Sequence, residues 1–256
     1  VQGLGTAFEK PVLSNVVSVM YRSALRKART VFFENEENAQ FFLHKNIISA
    51  QQMKVLPGAG INLDEYPYVP MRDDGVCSFL FVGRIMKEKG VDEFFSAAKT
   101  VKAEFGEKVA FDVVGFYEDA YKETVDQLVA DGVIKFHGFQ TDVHPFYEAA
   151  DCVVLPSYHE GMSNVLLEGA ATGRALITSD IPGCREALED GASGYLCPAQ
   201  DAEALTNFFR EFANKTQSEQ EQMGCCGRAL IEREFDKHIV VAQTIDGLMF
   251  SVTARN

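Results

Sequence analysis

The chain has 256 residues, 46% of them hydrophobic, and a formal net charge of −13. That is enough apolar material for one large packed core or two smaller ones, and the negative charge argues against a general nucleic-acid-binding role. No apolar run reaches the ~20 residues of a bilayer-spanning helix, and no secretory signal is visible. In chain order, residues 11–29 read as a helix, apolar first and basic later, through Arg22, Arg26, Lys27 and Arg29. A helix packed on a sheet and a membrane-surface helix are the two readings of that pattern. Thr30 to Phe33 reads as a short buried strand, Glu36 to Lys45 as a helix, and Met53 to Leu56 as a strand closed by Pro57-Gly58. Residues 58–75, with Gly58, Gly60, Pro67, Pro70 and Asp73-Asp74-Gly75, read as a linker.

A regular alternation follows. Strand-like runs lie at Ser78–Val82, Val109–Val114, Ile134–His137, Cys152–Leu155, Ala175–Thr178 and Gly194–Cys197. Helical runs lie at Val91–Phe105, Asp119–Ala130, His144–Ala149, Asn164–Thr172 and Ala202–Phe212. Such alternation predicts an α/β fold, a Rossmann-like parallel sheet covered on both faces, over residues 76–234. Apolar residues at helical spacing from Phe235 to Val252 predict a closing helix over 235–256. The six cysteines (Cys77, Cys152, Cys184, Cys197, Cys225, Cys226) contain no CxxC pair. Most lie in apolar strands, as core residues in a reducing cytosol do. Cys225-Cys226 reads as helix packing, with a metal or redox pair as the alternative.

Ligands of such sheets bind at the carboxyl ends of the strands, so the loops there carry the candidates. After the first strand comes Gly83-Arg84, then Lys89-Gly90. Gly83 lets backbone approach a ligand, Arg84 can grip phosphate oxygens in pairs, and Lys89 adds a point charge. Gly115 ends the second strand and permits either close approach or a tight turn. His137 reads as structural. After the fourth strand, Glu160 and Glu168 bracket Gly161-Met162-Ser163-Asn164 and the start of a helix. Ser163-Asn164 stands where an N-cap belongs, with Val165-Leu166-Leu167 opening the apolar face. Free N–H groups at a helix start attract phosphate, and carboxylates on either side accept from sugar hydroxyls. The plain alternative is a buried helix start flanked by two solvated glutamates. Competing motifs fail. Gly58-Ala59-Gly60 lacks the third glycine of a dinucleotide fingerprint, His159-Glu160 lacks a second histidine, and neither a Walker A nor a GxSxG sequence is present.

The Glu-x7-Glu run, the preceding G-R-x4-K-G, and the segments Gly169–Gly173, Ser179–Glu186 and Glu189–Tyr195 together resemble the retaining family 4 glycosyltransferases, which have the GT-B fold. The resemblance covers nearly all of residues 76–212 and extends to bacterial capsule and O-antigen transferases. It implies that Arg84 and Lys89 neutralise the donor diphosphate, that Glu160 contacts the donor sugar, and that Glu168 contacts the ribose. Glu160, Arg84 and Lys89 would be the catalytic set. Gly161, Met162, Ser163 and Asn164 would offer N–H groups to sugar and phosphate. Gly83, Gly115, Phe139 beside the base, and Val165 would complete the donor site. Residues 1–70 resemble the end of an N-terminal acceptor-side domain, with Gly3-Leu4-Gly5 like an acceptor loop. The chain opens at Val1, and the family's first strands, glycine-rich loop and catalytic-side histidine find no match. We therefore expect a truncated remnant that binds nucleoside diphosphate weakly and transfers no sugar alone.

The implied activity is transfer of a sugar, with retention, from a nucleoside-diphosphate donor to a glycan or polyprenyl-diphosphate-linked acceptor in surface polysaccharide synthesis. UDP-sugar is the first candidate donor. The setting would be cytoplasmic, at the inner face of a bacterial membrane, with peripheral membrane contact and no nucleic acid. No cofactor or metal is expected, because the cationic pair supplies charge neutralisation and no Asp-x-Asp motif ends a strand. A nucleotide-sugar 2-epimerase on the same fold and a non-catalytic nucleotide-sugar-binding module are the rival readings.

Overall fold

Continuous apolar runs such as Phe79-Leu80-Phe81 and Val153-Val154-Leu155 cannot face water on either side, and they are buried throughout. The computed structural model describes Phe8 and residues 11–253, and Gly3-Leu4-Gly5 lies outside the described residues. The runs form a six-stranded sheet of β3 (Cys77–Val82), β4 (Val109–Val114), β5 (Lys135–Phe136), β6 (Cys152–Leu155), β7 (Ala175–Ser179) and β8 (Gly194–Cys197). The spatial order is β5-β4-β3-β6-β7-β8 and every pairing is parallel. The chain winds outward from β3 to β5, then returns past β3 to begin again at β6. That reversal leaves a crevice between the carboxyl ends of β3 and β6, where ligands of doubly wound sheets bind.

Helices α3 (Val91–Phe105), α4 (Lys122–Ala130), α5 (His144–Ala149), α6 (Asn164–Ala171), α7 (Ala202–Ala213) and α8 (Gln217–Glu234) cover the sheet. An aromatic cluster ties α3 and α7 to the strands. Phe79 stacks on Phe111 at 5.1 Å and tilts against Phe209 at 4.7 Å, with Phe94 edge-on to both Phe111 and Phe209. Each such buried ring contributes roughly 1.5–3 kcal/mol by desolvation.

A second, two-stranded parallel sheet joins β1 (Val31–Phe33) and β2 (Met53–Val55). Its own apolar cluster holds Val31, Phe33, Phe42 and Ile47, with α2 (Glu36–His44) packed against it. Helix α1 (Pro11–Leu25) buries Ser14 and Ser18 and leaves Val12, Val16, Val19 and Met20 exposed. Its apolar stripe therefore faces solvent. Among the described residues, no helix is long and apolar enough to cross a membrane.

Three features differ from the sequence expectations. The helix predicted to reach residue 29 ends at Leu25. Helix α8 is a full element that weak amphipathicity hid. Its start is written in a capping box, in which Thr216 and Glu219 each accept from the other's backbone N–H. The segment 58–75 is fixed to the large sheet. The Val69 N–H donates to Thr172 O at 3.1 Å, the buried Arg174 guanidinium reaches the Val69 and Ala150 carbonyls, and Arg228 reaches the Tyr66 carbonyl at 2.6 Å. Helix α9 (Lys237–Thr253) then runs beside the small sheet, with Gly247 against Phe32 and Lys54.

Gly90 sits at the turn into α3 with φ +68°, and a Cβ there would lie 1.9 Å from the Pro156 carbonyl oxygen. Gly75 has φ +75° but open space around it. We predict that Gly90→Ala destabilises by about 3 kcal/mol and Gly75→Ala by about 1 kcal/mol, because only the first adds a backbone collision to the strain. Equal shifts in chemical denaturation would contradict the close packing of these two loops.

Candidate functional site

The loops after β3 and β6 are stitched together by backbone. The Tyr158 N–H donates to Glu88 O at 2.9 Å, beside the contact of Gly90 with Pro156. This brings Lys89 and Glu160, 71 positions apart, into an ion pair with Nζ to Oε1 at 2.5 Å. Both side chains are mostly buried, at 24% and 13% exposure. Ser157, fully buried, donates its hydroxyl to the same Oε1 at 2.8 Å. Arg84 leaves the same β3 loop, is exposed, and has no side-chain partner among the described residues.

The neighbouring strand ends are laced in the same way. The Gly83 N–H donates to Val114 O and the Gly115 N–H to Gly138 O, each at 2.9 Å. A Cβ on Gly115 would stand 1.9 Å from the Gly83 carbonyl oxygen. The glycine at 115 is thus required by its glycine neighbour, and closeness to a ligand need not be invoked. Phe139 is 67% exposed at the end of this ladder, and Phe116 is 52% exposed beside it. His137 pairs with Asp112, Nε2 to Oδ1 2.7 Å, and rests on Phe146.

Ser163 caps α6, its hydroxyl accepting from the Leu166 N–H at 3.4 Å. Its own N–H is already donated to Gly183 O at 2.9 Å. That corrects the expectation that Ser163 offers an N–H to a ligand. The N–H groups of Gly161 and Met162, and of Asn164 and Val165 at the first two helical positions, have no acceptor among the described residues. Gly183 belongs to a loop pressed against the Glu160–Gly161 peptide, where a Cβ would lie 2.3 Å from Gly161 O.

Glu168 lies about one turn into α6. The buried Tyr147 donates its hydroxyl to Oε2 at 2.7 Å. Burial pushes the Glu168 carboxyl upward, against the lowering effect of the Tyr147 and Tyr66 hydroxyls and of His144. Glu160 and Glu168 therefore occupy different surroundings, one beside a lysine and the other beside tyrosines.

A cavity of about 280 Å³ opens between the two sheets, lined by Glu34, Ala59, Gly161, Met162 and Asn164. Buried Asn35 donates its side-chain amide to Gly161 O at 3.0 Å, and Glu37 pairs with Arg185 at 2.5 Å. Sequence reasoning missed Asn35, Ser157, Tyr147 and Tyr66. Asn35 is legible as an N-cap before Glu36-Glu37, but its bond to Gly161 spans 126 positions. Among the described residues, no three His, Cys, Asp or Glu side chains group to hold a metal ion.

The sheet order and the loops at its switch point are those of a doubly wound α/β domain of the GT-B fold. The chain belongs to the family of group 1 glycosyl transferases, whose model matches residues 77–214. It is 26% identical over 223 residues to the N,N'-diacetylbacillosaminyl-diphospho-undecaprenol alpha-1,3-N-acetylgalactosaminyltransferase of Campylobacter jejuni, covering 80% of this chain and 58% of that protein. It is 26% identical over 165 residues to the capsular polysaccharide biosynthesis glycosyltransferase CapM of Staphylococcus aureus, covering 62% of this chain and 42% of that one. The chain thus spans about half the length of the curated relatives it matches. In fold it is similar to Anabaena Alr3699/HepE in complex with UDP and glucose (TM-score 0.74, 19% identity, 91% of this chain and 67% of that one). A glycosyltransferase from Rickettsia africae is likewise similar (TM-score 0.79, 17% identity, 94% and 68%).

A double-mutant cycle with Lys89→Met and Glu160→Gln should give a coupling of about 1 kcal/mol in unfolding free energy, as expected for a partly exposed pair. Strictly additive effects would mean that the ion pair contributes nothing to holding the two loops together.

Proposed function

We propose that the protein transfers a sugar from a nucleoside-diphosphate donor, UDP-sugar first, to a hydroxyl of a glycan or polyprenyl-diphosphate-linked acceptor, with retention at the anomeric carbon. The observation that carries this reading is the meeting of Lys89 and Glu160 beside the unfilled N–H groups of α6, with unpaired Arg84 on the same edge. The reaction breaks the bond between the anomeric carbon and the diphosphate oxygen, whose electron pair leaves with the nucleoside diphosphate. The acceptor oxygen forms the new bond, and its proton passes to the departing diphosphate oxygen. Arg84, Lys89 and the Asn164 and Val165 N–H groups face the growing negative charge, and a preorganised set of donors there lowers the barrier without rearrangement. Glu160 takes hydroxyls of the sugar and Glu168 those of the ribose. Surface-polysaccharide synthesis is supported by the name of the Staphylococcus relative, and a polyprenyl-diphosphate-linked acceptor by that of the Campylobacter relative.

Arg84→Ala and Lys89→Ala should each weaken nucleoside-diphosphate binding by roughly 1.5–3 kcal/mol, the range for a lost charged hydrogen bond. Calorimetry with UDP and GDP checks this, and unchanged affinity in both variants would remove the diphosphate assignment. Glu160→Ala should lose only the sugar-dependent increment between UDP and UDP-sugar, whereas Glu168→Ala should lose affinity for UDP itself. Product analysis with a labelled donor separates the transferase from a 2-epimerase.

The proposed setting is the inner face of a bacterial membrane. Its support is α1, which exposes Val12 at 79%, Val19 at 60% and Met20 at 65% and leads into Arg22, Arg26, Lys27 and Arg29. An apolar face with basic residues at one end suits an anionic lipid surface. Flotation with anionic liposomes should depend on Arg26 and Lys27, and absence of binding at low salt would end this part of the proposal.

A further inference from the structure

We propose that Tyr147 and Tyr66 are positioning residues that aim Glu168 at a ribose 2′-hydroxyl, giving the site a preference for ribonucleoside over 2′-deoxyribonucleoside diphosphates. This rests on the reading of Glu168 as the ribose contact. Tyr147 is wholly buried on α5, and its hydroxyl has one carboxylate oxygen, Glu168 Oε2, as acceptor at 2.7 Å. Tyr66 comes from the segment that joins the two sheets. Its ring stacks on His144 at 4.5 Å with planes 26° apart and meets Tyr147 edge-on at 6.2 Å. Its backbone is pinned at both ends, the N–H donating to Asn62 O and the carbonyl accepting from Arg228. Its ring thus braces Tyr147, and burial first and the nearby Glu168 carboxylate second hold its phenol above the ordinary range.

A carboxylate has about four lone-pair sites. The Tyr147 donor, braced by the Tyr66 ring, fixes its plane and leaves sites for a ligand hydroxyl, since Glu168 is only part-buried. The tyrosines stay donors at neutral pH, because burial and the facing carboxylate hold both phenols well above their ordinary range. The groups facing Glu168 are thus Tyr147 and His144 from α5 and Tyr66 from the connecting segment, with Asp142 holding His144 Nδ1 at 2.7 Å.

The test is calorimetry on the purified chain with UDP and 2′-deoxy-UDP, and in parallel GDP and 2′-deoxy-GDP, across pH. Variants are Tyr147→Phe, Tyr66→Phe and Glu168→Gln. The control is Tyr195→Phe, which breaks a similar tyrosine–carboxylate bond (to Glu211, 2.7 Å) on strand β8. Tyr147→Phe should lower the ribo-to-deoxy affinity ratio by roughly 3- to 10-fold, the loss expected for one oriented hydrogen bond, and Tyr66→Phe should lower it by less. They should also move the acid limb of ribonucleotide binding to higher pH. The sign follows from ionisation: Glu168 accepts as a carboxylate, so affinity falls as pH drops through its folded-state pKa. Removing a donor that lowers that pKa makes the fall begin earlier. The control should change neither quantity. An unchanged ratio and acid limb in both phenylalanine variants, with Glu168→Gln still losing ribonucleotide affinity, would overturn the positioning role alone. An unaffected Glu168→Gln would overturn the ribose contact beneath it.

Discussion

Everything at the site depends on two loops lying closer together than side chains allow. The β3 and β6 strands are neighbours in the sheet but far apart in sequence, so their terminal loops meet only where the backbone makes room. Gly90 provides that room against Pro156, and the Glu88 carbonyl and Tyr158 N–H close the seam. Only then are a lysine from one loop and a glutamate from the other within bonding distance. The charged pair is a result of the backbone packing rather than its cause, since the cost of taking both charges largely out of water offsets their attraction.

The two basic residues of the site are not equivalent. Lys89 is already committed to Glu160, while Arg84 is uncompensated among the described residues. A diphosphate approaching a chain of net charge −13 is repelled at long range. On the proposed donor assignment, its attraction comes from nearby groups: the Arg84 guanidinium and the open end of α6. Lys89 is then shared with the ligand, so an arriving diphosphate and a glutamate compete for one ammonium. That competition ties the position of Glu160 to the occupancy of the phosphate site.

The sheet was legible because both-face burial writes strands as unbroken apolar runs, and βα alternation fixes them as parallel. The places of Arg84, Lys89, Glu160 and Glu168 at strand ends and on a helix start were legible because strand ends and a capped helix are local signals. What escaped was non-local or was carried by residues with no single role. Helix α8 lacks a strong apolar stripe, and only Thr216 and Glu219 mark it. Residues 58–75 have the composition of a linker, yet Arg174 and Arg228, which pin them, lie roughly a hundred positions or more away. Tyr147 and Tyr66 look like ordinary core aromatics until their hydroxyls are placed.

Asn35 and Glu37 belong to the small sheet's side of the molecule, but their partners, Gly161 and Arg185, flank the donor loop on the other side. Separating the two sheets would free the Gly161 carbonyl and loosen the peptide that carries it. A ligand held by that loop therefore binds more tightly to the joined arrangement than to the parted one. Linkage then requires the converse to the same extent: the ligand favours the joined arrangement by the free energy it gains there. On the proposed reading of that loop as a donor site, the small sheet acts on it through contacts that include the Asn35 amide and the Glu37–Arg185 ion pair.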